Sequence, residues 1–148
     1  CGFKRDLRKD EPYLVYDQLD FDIPTEQPGD AWARTLVRRQ ELLQSIRILR
    51  QVVDRLPDVR GPIRAPIPNP LAWKVPAGEA YVRIESSKGE LGWYVVSDGG
   101  EKPYRVHVRG PSSMHAVQTL EHLVTGCRLE DVAQIMFSLD ACPPEVDR

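Results

Sequence analysis

Cysteine is scarce in this sequence of 148 residues: there are three, Cys1, Cys127 and Cys142, far apart along the chain. An odd number of widely separated cysteines does not make a disulfide framework, so the sequence favours a reducing compartment. It contains no CxxC pair and no HExxH segment, which are common signs of zinc sites. Because the chain starts at Cys1 rather than at a methionine, we expect it to be a piece of a longer protein.

Long hydrophobic runs are also missing. No apolar segment approaches the roughly 18 residues that span a bilayer, and no charged stretch followed by an apolar one marks a signal peptide. Positive charge is not in excess, since the formal net charge is −2 and the sequence pI ≈ 5.9. A dedicated nucleic-acid-binding domain usually has a pI above about 9, so we expect no nucleic-acid partner.

Generic catalytic motifs are absent as well. The chain has no GxSxG, P-loop or GxGxxG segment, and its glycine pairs do not open a helix, so a phosphate cradle is not expected. His115 and His122 are seven residues apart on one predicted helix, or about 10 Å along its axis. Two ligands of one metal ion each lie about 2 Å from it, so these two histidines are too far apart to bind the same ion. The residues alone therefore indicate neither a metal site nor the nucleophile–base pair of a small hydrolase.

Proline is abundant, with 13 in the chain, and six of them fall within residues 57–78. Each proline fixes φ and removes a backbone donor, so this segment is predicted to be an irregular loop. Residues 1–28 show no sustained period and are predicted to form an extended arm. Four apolar or aromatic side chains offer anchors for this arm, either on the chain's own body or on a partner: Tyr13, Tyr16, Leu19 and Phe21.

A long amphipathic helix is predicted between Asp30 and Pro57. The Asp30 side chain can accept a hydrogen bond from a free amide of the first turn, and proline stops a helix. Apolar residues recur at three- and four-residue steps over about seven turns: Trp32, Leu36, Leu43, Ile46, Val53 and Leu56. The arginines of the other faces are interpreted as a solvated surface, with an acidic partner as the alternative because guanidinium groups pair with carboxylates.

Residues 80–109 alternate in hydrophobicity and predict three short strands, AYVRIES, LGWYVVSD and YRVHVRG. The segments between them contain SKGE and an Asp-Gly pair, which favours a tight turn. Two short helices follow, the first capped by Ser112 or Ser113 and ended by Gly126, the second covering 129–139. The predicted fold class is therefore α+β, with a long helix, a proline-rich loop, a three-stranded antiparallel meander and two short C-terminal helices.

The end of the chain places a thiol between two carboxylates. Asp140, Cys142 and Glu145 lie within six positions, and two prolines stiffen the turn between them. Hydrogen bonding within a turn accounts for such a segment. The functional alternatives are the edge of a pocket or a decayed metal site.

Three stretches of the sequence resemble one family: DLRKDEPYLVYDQLDFDIP, ESSKGELGWYVVSDGGEKPYRVHVRGP and LEDVAQIMFSLDACPPEVDR. They are similar to the C-terminal part of the 49 kDa/D subunit of respiratory complex I, the NADH:quinone oxidoreductase, which is related to the large subunit of nickel–iron hydrogenases. The resemblance covers nearly the whole chain, and the proline-rich loop matches least. It implies that residues 29–148 are the C-terminal portion of this subunit, within a hydrogenase-large-subunit-like fold.

The resemblance can be followed along the tail. Hydrogenase large subunits end in DPCxxC, whose thiolates bind the metals. Asp140 matches the aspartate, Ala141 replaces the proline, Cys142 matches the first cysteine, and Glu145 stands in place of the second. Cys142 departs from the complex I pattern, but one thiolate cannot hold nickel alone, and the segments KPYR and EVDR agree with complex I. The alternatives are a subunit of a hydrogenase-related membrane complex and a non-redox protein-interaction module.

The resemblance implies a scaffold that forms one wall of a quinone cavity. It assigns Asp140, Ala141 and Cys142 to that wall, and Glu145 less directly. The histidine and tyrosine that bind the quinone headgroup in the family belong to the N-terminal half, outside this chain. Residues of the arm are expected to contact partners: Arg8, Lys9, Tyr13 and Tyr16.

The implied setting is an assembly. The chain alone would bind no cofactor and be inactive, whereas the assembly contains the quinone substrate and an iron–sulfur cluster of a neighbouring subunit. Expected partners are that iron–sulfur subunit, other peripheral-arm subunits and the N-terminal half, at the cytoplasmic face of the cell membrane. We also expect the isolated chain to expose apolar surface along the long helix and the arm, since large exposed apolar patches mark interfaces.

Overall fold

The computed structural model describes residues 2–67, 69 and 73–147; Cys1, four positions of the proline-rich loop and the terminal Arg148 lie outside this part. The described residues form an α+β fold. Its helices are α1 Leu7–Asp10, α2 Ala31–Arg55, α3 Pro111–Val124, α4 Leu129–Leu139 and α5 Pro143–Val146. Its strands are β1 Gly78–Ser86, β2 Gly89–Ser97 and β3 Arg105–Arg109, and short 3₁₀ turns cover Tyr16–Gln18 and Leu56–Asp58.

The long helix and the meander confirm the sequence prediction. Asp30 is the N-cap of α2, and its carboxylate accepts from the Ala33 N–H at 2.7 Å. The helix ends at Arg55, just before the turn that contains Pro57. The three strands are antiparallel in the order β1-β2-β3, and Ser87 and Lys88 connect the first two. Gly89 has a φ of 122°, a conformation that glycine adopts at little cost.

Two predictions about the C-terminal third were wrong. Neither Ser112 nor Ser113 caps α3, because Gly110 is its N-cap and the helix already begins at Pro111, a residue that suits a first helical turn. The tail after α4 is more than a turn, because α5 forms a further helical turn across two prolines. Residues 1–28 are mostly irregular, as expected of an arm, but contain α1 and one 3₁₀ turn.

The hydrophobic core is small. Leu19 and Phe21 of the arm pack with Ile48 of α2, and Tyr16 lies against this cluster. The same face of α2 binds the arm through polar groups, since Gln44 and Gln51 accept hydrogen bonds from the backbone of Asp22 and Asp20. The arm thus packs on the chain's own long helix, one of the two arrangements predicted for it.

Most of the apolar stripe of α2 is exposed and Leu36 is half-buried, which confirms the expectation for this helix. Trp32 and Leu43 are 68% and 56% exposed, and Ile46, Val53 and Leu56 are exposed as well. Several arginines expected to be solvated lie instead on the covered face. Arg34 and Arg38 bind α4, while Arg47 pairs with Asp20 and Asp22 of the arm. The reason is that α4 offers a hydroxyl and a carbonyl to these arginines and the arm offers carboxylates, beside the apolar side chains of the core.

The sheet has one polar and one apolar face. Because side chains alternate along a strand, the register Val82↔Trp93↔Val108 places these three on one face, together with Ile84 and Leu91. None of these five residues is buried. The arm contacts the opposite face through three carboxylates: Glu11 pairs with Arg83, Glu85 accepts from the Leu7 N–H, and Glu90 pairs with Arg5.

Candidate functional site

Asp140 connects three elements at the end of α4. It is the C-cap of that helix in the left-handed conformation, with φ 56°, and its N–H donates to the Phe137 carbonyl at 3.1 Å. Its carboxylate pairs with Arg38 of α2 at 3.1 Å and with Lys88 of the β1–β2 turn at 2.5 Å. A carboxylate at the negative end of a helix is unfavourable by itself, so these two cations offset that charge.

The arginines of α2 bind the same helix end. Arg38 also donates to the Phe137 carbonyl at 2.9 Å, and its guanidinium lies 5.0 Å from the centre of the Phe137 ring. Arg34 donates to the hydroxyl of the buried Ser138 at 3.0 Å. The last turn of α4 and the residue that follows it are therefore held by side chains from elements about 50–100 positions earlier in the chain.

Cys142 is held by its backbone. Its N–H donates to the Oγ of Ser112 at 3.1 Å, and its carbonyl accepts from the N–H groups of Glu145 and Val146. The thiol is free and half-buried. Nearby, Nε2 of His115 lies 3.2 Å from the carbonyl of Leu139. Ser112 and His115, both on α3, thus meet the backbone on either side of the Asp140–Ala141 step.

Glu145 caps α3. Its Oε2 accepts from the Ser112 hydroxyl at 2.6 Å and from the Ser112 N–H at 3.3 Å. The helix N-terminus favours a negative charge at this place. Glu145 therefore uses its carboxylate within the chain, and the position that matches a metal-binding cysteine in the hydrogenase pattern carries a structural side chain here.

A cleft of ≈ 670 Å³ lies between the arm, α2, the β1–β2 turn and the end of α4. Of the four residues assigned to a cavity wall, Asp140 lines this cleft, whereas Ala141, Cys142 and Glu145 are not among the described residues that line it. Ala141 and Cys142 are half-buried next to it in sequence. The wall assignment itself stays a prediction, because the tail of the described chain borders the cleft only through Asp140.

The cleft is rich in charge of both signs. Its basic residues are Arg5, Arg8, Arg34, Arg38 and Lys88, and its acidic ones are Asp6, Asp22, Glu41, Glu85 and Asp140. Loss of water around the carboxyl groups is the main cause that raises the pKa of both Glu41 and Glu85 above the ordinary value. Repulsion from Asp6 also raises the pKa of both carboxyl groups, while the Arg8 guanidinium lowers both.

The four arm residues predicted to contact partners have contacts within the chain. Arg8 binds the buried Asp6 through Nε and Nη2 at 3.0 and 2.6 Å, a hydrogen bond that raises the pKa of the guanidinium. The Lys9 ammonium lies 4.4 Å from the centre of the Phe21 ring. Tyr13 accepts from the Glu85 N–H at 3.1 Å and packs edge-on against Tyr16. Partner contacts by these residues stay a prediction.

The described residues contain no group of three histidine, cysteine or acidic side chains that could hold a metal ion. Within the same part of the chain, every helix is too short or too polar to cross a membrane.

A comparison with known protein families shows to which family the chain belongs. Residues 1–73 and 71–148 both match the family described as the respiratory-chain NADH dehydrogenase 49 Kd subunit. The chain belongs to this family. That result confirms the resemblance that the three sequence stretches carry.

Relatives of the 49 kDa subunit family cover almost all of this chain. The D subunit of NADH-quinone oxidoreductase from Thermosipho melanesiensis is 46% identical over 149 residues, and a D subunit of the same enzyme from Roseiflexus sp. is 48% identical over 151. The D subunit of F(420)H(2) dehydrogenase from Methanosarcina mazei is 44% identical over 156 residues. In each case the match covers 99% of this chain but 40% of the relative, so the chain spans about two fifths of their length.

A solved structure has the same fold. It is the structure of the membrane-bound sulfane sulfur reductase, an archaeal respiratory membrane complex, in which one chain is 51% identical and superposes with a TM-score of 0.90. That match covers 99% of this chain and 40% of the other. The α+β arrangement with its three-stranded sheet is therefore shared with one chain of that complex.

Sequence reasoning missed several residues that build the site: Arg38, Glu41, Glu85, Lys88 and Ser112. Arg38 and Lys88 looked like ordinary surface cations, and their common partner Asp140 is about a hundred and about fifty positions away, respectively. Glu41 and Glu85 are single acids on separate elements. Only Ser112 had a local signal, the segment Gly-Pro-Ser at a helix start, and that signal indicated a cap instead.

Proposed function

We propose that this chain is part of the D-type (49 kDa) subunit of an NADH:quinone oxidoreductase, where it acts as a scaffold and forms part of the wall of the quinone cavity. The observation that carries this proposal is the family match over both halves of the chain. Relatives named as D subunits of NADH-quinone oxidoreductase, at 46% and 48% identity, support it. Electrons would reach quinone from an iron–sulfur cluster of a neighbouring subunit, and this chain would bind no cofactor alone.

Asp140, Ala141 and Cys142 are the residues proposed to face the quinone. They form the connection between α4 and α5, and it is fixed at both ends, by Arg38 and Lys88 at Asp140 and by Ser112 at Cys142. A rigid backbone at a cavity wall holds the shape into which a substrate ring fits. Glu145 contributes indirectly, through the cap on α3.

The proposal includes the setting. The partners are the iron–sulfur subunit, other subunits of the peripheral arm and the N-terminal half of the same subunit, within a hydrogenase-large-subunit-like fold. The location is the cytoplasmic face of the cell membrane. The similarity to one chain of an archaeal respiratory membrane complex supports a membrane-associated assembly.

A second candidate function changes the donor and the acceptor but not the role of the chain. The sulfane sulfur reductase chain is 51% identical, and the F(420)H(2) dehydrogenase chain is 44% identical. These sequence identities are similar to the 46% and 48% found for the D subunits of NADH-quinone oxidoreductase. This similarity favours one scaffold that is used by complexes with different electron donors and acceptors. A hydrogenase-related membrane complex is the alternative that fits this observation.

Purification of the assembled complex through a tag on the full-length subunit tests both candidates. The preferred function requires iron–sulfur and membrane subunits in the eluate and NADH-driven reduction of a short-chain quinone. Reduction of sulfane sulfur, or oxidation of reduced F420, without NADH:quinone activity would establish the alternative. Recovery of the subunit free of any redox partner would contradict both.

A further inference from the structure

We propose that Ser112 and Glu145 are positioning residues that set the place of Cys142 at the acceptor cavity. This inference rests on the proposed function, in which the connection between α4 and α5 forms part of the cavity wall. Neither residue needs to contact the acceptor, because both act on Cys142 through its backbone.

The Ser112 hydroxyl links two segments that follow each other in the tail. It is completely buried, in the first turn of α3. It donates to Oε2 of Glu145 at 2.6 Å and accepts from the Cys142 N–H at 3.1 Å. A hydroxyl that donates in one direction and accepts in another has a fixed orientation. One buried atom therefore fixes the backbone of Cys142 relative to α3.

Glu145 binds both Cys142 and the Ser112 hydroxyl. Its N–H donates to the Cys142 carbonyl at 3.0 Å, while its carboxylate accepts from the hydroxyl that holds the Cys142 N–H. Both polar backbone groups of Cys142 are thus occupied within α3 and α5. When these groups are fixed, the Cα–Cβ bond has one direction, and the thiol is limited to the few staggered positions about that bond.

The charge of Glu145 strengthens this arrangement. The carboxylate also accepts from the Ser112 N–H at 3.3 Å, at the positive end of α3. Hydrogen bonds that involve an ionised group are stronger than neutral ones, and a buried bond breaks less readily than one that water can replace. The tail is consequently attached to α3 by a charged pair of contacts rather than by packing alone.

The second end of the connection is held independently. Asp140 is bound by Arg38 and Lys88, which belong to α2 and the β1–β2 turn. A change at Ser112 or Glu145 therefore displaces Cys142 while Asp140 keeps its partners. A change in acceptor binding is expected, and loss of the whole assembly is not.

The test uses Ser112→Ala, Glu145→Ala and Glu145→Gln in the full-length subunit of the assembled complex, with a short-chain quinone as the acceptor. Loss of a buried hydrogen bond typically costs about 1 kcal/mol, which corresponds to about fivefold in an equilibrium constant. We expect Ser112→Ala and Glu145→Ala to raise KM for the quinone about fivefold, with a smaller effect on kcat. Glu145→Gln should restore most of the affinity, because its amide oxygen still accepts from Ser112.

Ser113→Ala is the matched control. Its hydroxyl donates to the Gly110 carbonyl at 2.8 Å within the same helix turn, and among the described residues it makes no hydrogen bond to the tail. It should leave KM unchanged. Transfer from NADH to a water-soluble acceptor upstream of quinone should be equal in all variants and gives the amount of assembled enzyme.

Cys142→Leu separates failure of this inference from failure of the proposed function. If Cys142→Leu changes KM but Ser112→Ala and Glu145→Ala do not, the positioning role is overturned and the wall survives. If all three leave KM unchanged, the wall and the positioning role are both overturned. Should Ser112→Ala prevent assembly, the pair Glu145→Ala and Glu145→Gln decides, since equal KM values in that pair would also overturn the positioning role.

Discussion

Asp140 shows why a single residue needs partners from distant parts of the chain. Its left-handed backbone ends α4, and its carboxylate lies where the carbonyl groups of the helix already concentrate negative charge. Arg38 and Lys88 both bind its Oδ1. The same two cations attach the hairpin tip and the long helix to α4, so the local electrostatic requirement of one carboxylate also orders three elements.

Removal of one of these cations should loosen the end of α4 without unfolding it. Partly exposed ion pairs contribute about 0–1 kcal/mol. Lys88→Gln is therefore expected to accelerate hydrogen–deuterium exchange of the backbone amides of residues 137–142 by no more than about fivefold. Lys102→Gln is the control, since Lys102 is exposed and has no ion pair within the part of the chain that the structure describes. Equal exchange in both variants would contradict the role of Lys88.

Glu85 gives a pH dependence with a definite sign. Burial is the first cause that raises its pKa in the folded state above the ordinary 4.5. A raised folded pKa means that this group stabilises the fold below about pH 4.5 and that the contribution is lost as the pH rises through the folded pKa. Glu85→Gln keeps an acceptor for the Leu7 N–H. It should increase the free energy of unfolding at neutral pH, with the gain disappearing in acid.

Denaturant unfolding at several pH values measures this difference, and Glu121→Gln, which removes the same charge from an exposed site, is the matched control.

The charge of Glu85 also raises the pKa of Glu41 across the cleft. We therefore expect NMR titration to show a lower pKa for Glu41 in the Glu85→Gln variant. An unchanged Glu41 titration would place the two carboxylates farther apart than the structure does.

At the scale of elements, α2 shows what periodicity predicts and what it leaves open. The steps between Trp32, Leu43 and Val53 predicted the helix, and Asp30 and Pro57 predicted its ends. They did not predict which partner lies on the opposite face. That face binds an arm through glutamine and arginine side chains, and such long-range polar contacts leave no repeat in the sequence.

The site was predictable only where a local pattern carried it. The tail segment was recognised from its own residues and from the family resemblance. Ser112 was not, because its role depends on a carboxylate 33 positions later in the chain. Ser112 was therefore interpreted as an ordinary N-cap candidate of the helix that begins there. Gly110, just before α3, likewise gave no sign that α5 would pass directly over it.

Gly110 permits the close approach of α5 to the start of α3. A Cβ at this position would lie 2.5 Å from the Glu145 carbonyl oxygen and 3.2 Å from its carbonyl carbon, so backbone rather than a flexible side chain would have to move. Gly110→Ala is expected to lower the free energy of unfolding by about 1–3 kcal/mol. It should also detach α5 from the start of α3, so that the segment that follows residue 142 is cleaved faster by a protease. Gly78→Ala is the matched control, since no described residue other than its chain neighbours has an atom within 4 Å of its added Cβ. Equal stability of the two variants would contradict this close contact.

At the scale of the whole molecule, the polar faces of the long helix and the sheet are bound by other segments of the chain, whereas their apolar faces are largely exposed to solvent. The arm and α4 cover the arginine side of α2, and the arm covers the carboxylate side of the sheet. In contrast, most of the stripe of α2 stays exposed, and so do Val82 and Trp93 on the apolar face of the sheet. A domain of this size normally buries such faces in its own core. Relatives are about two and a half times as long, since the match covers 40% of them. Under the proposed function, we expect the N-terminal half of the same subunit to cover both faces.

The tryptophans report on these faces separately. Trp32 lies on the stripe of α2 and Trp93 on the apolar face of the sheet, 68% and 42% exposed, while Trp73 lies on neither. In a chain labelled with 5-fluorotryptophan, all three ¹⁹F resonances should show a solvent isotope shift. Addition of the unlabelled complementary part of the subunit should remove that shift for Trp32 and Trp93, because burial excludes water. If the complementary part binds while both residues keep their isotope shift, a different partner covers these faces.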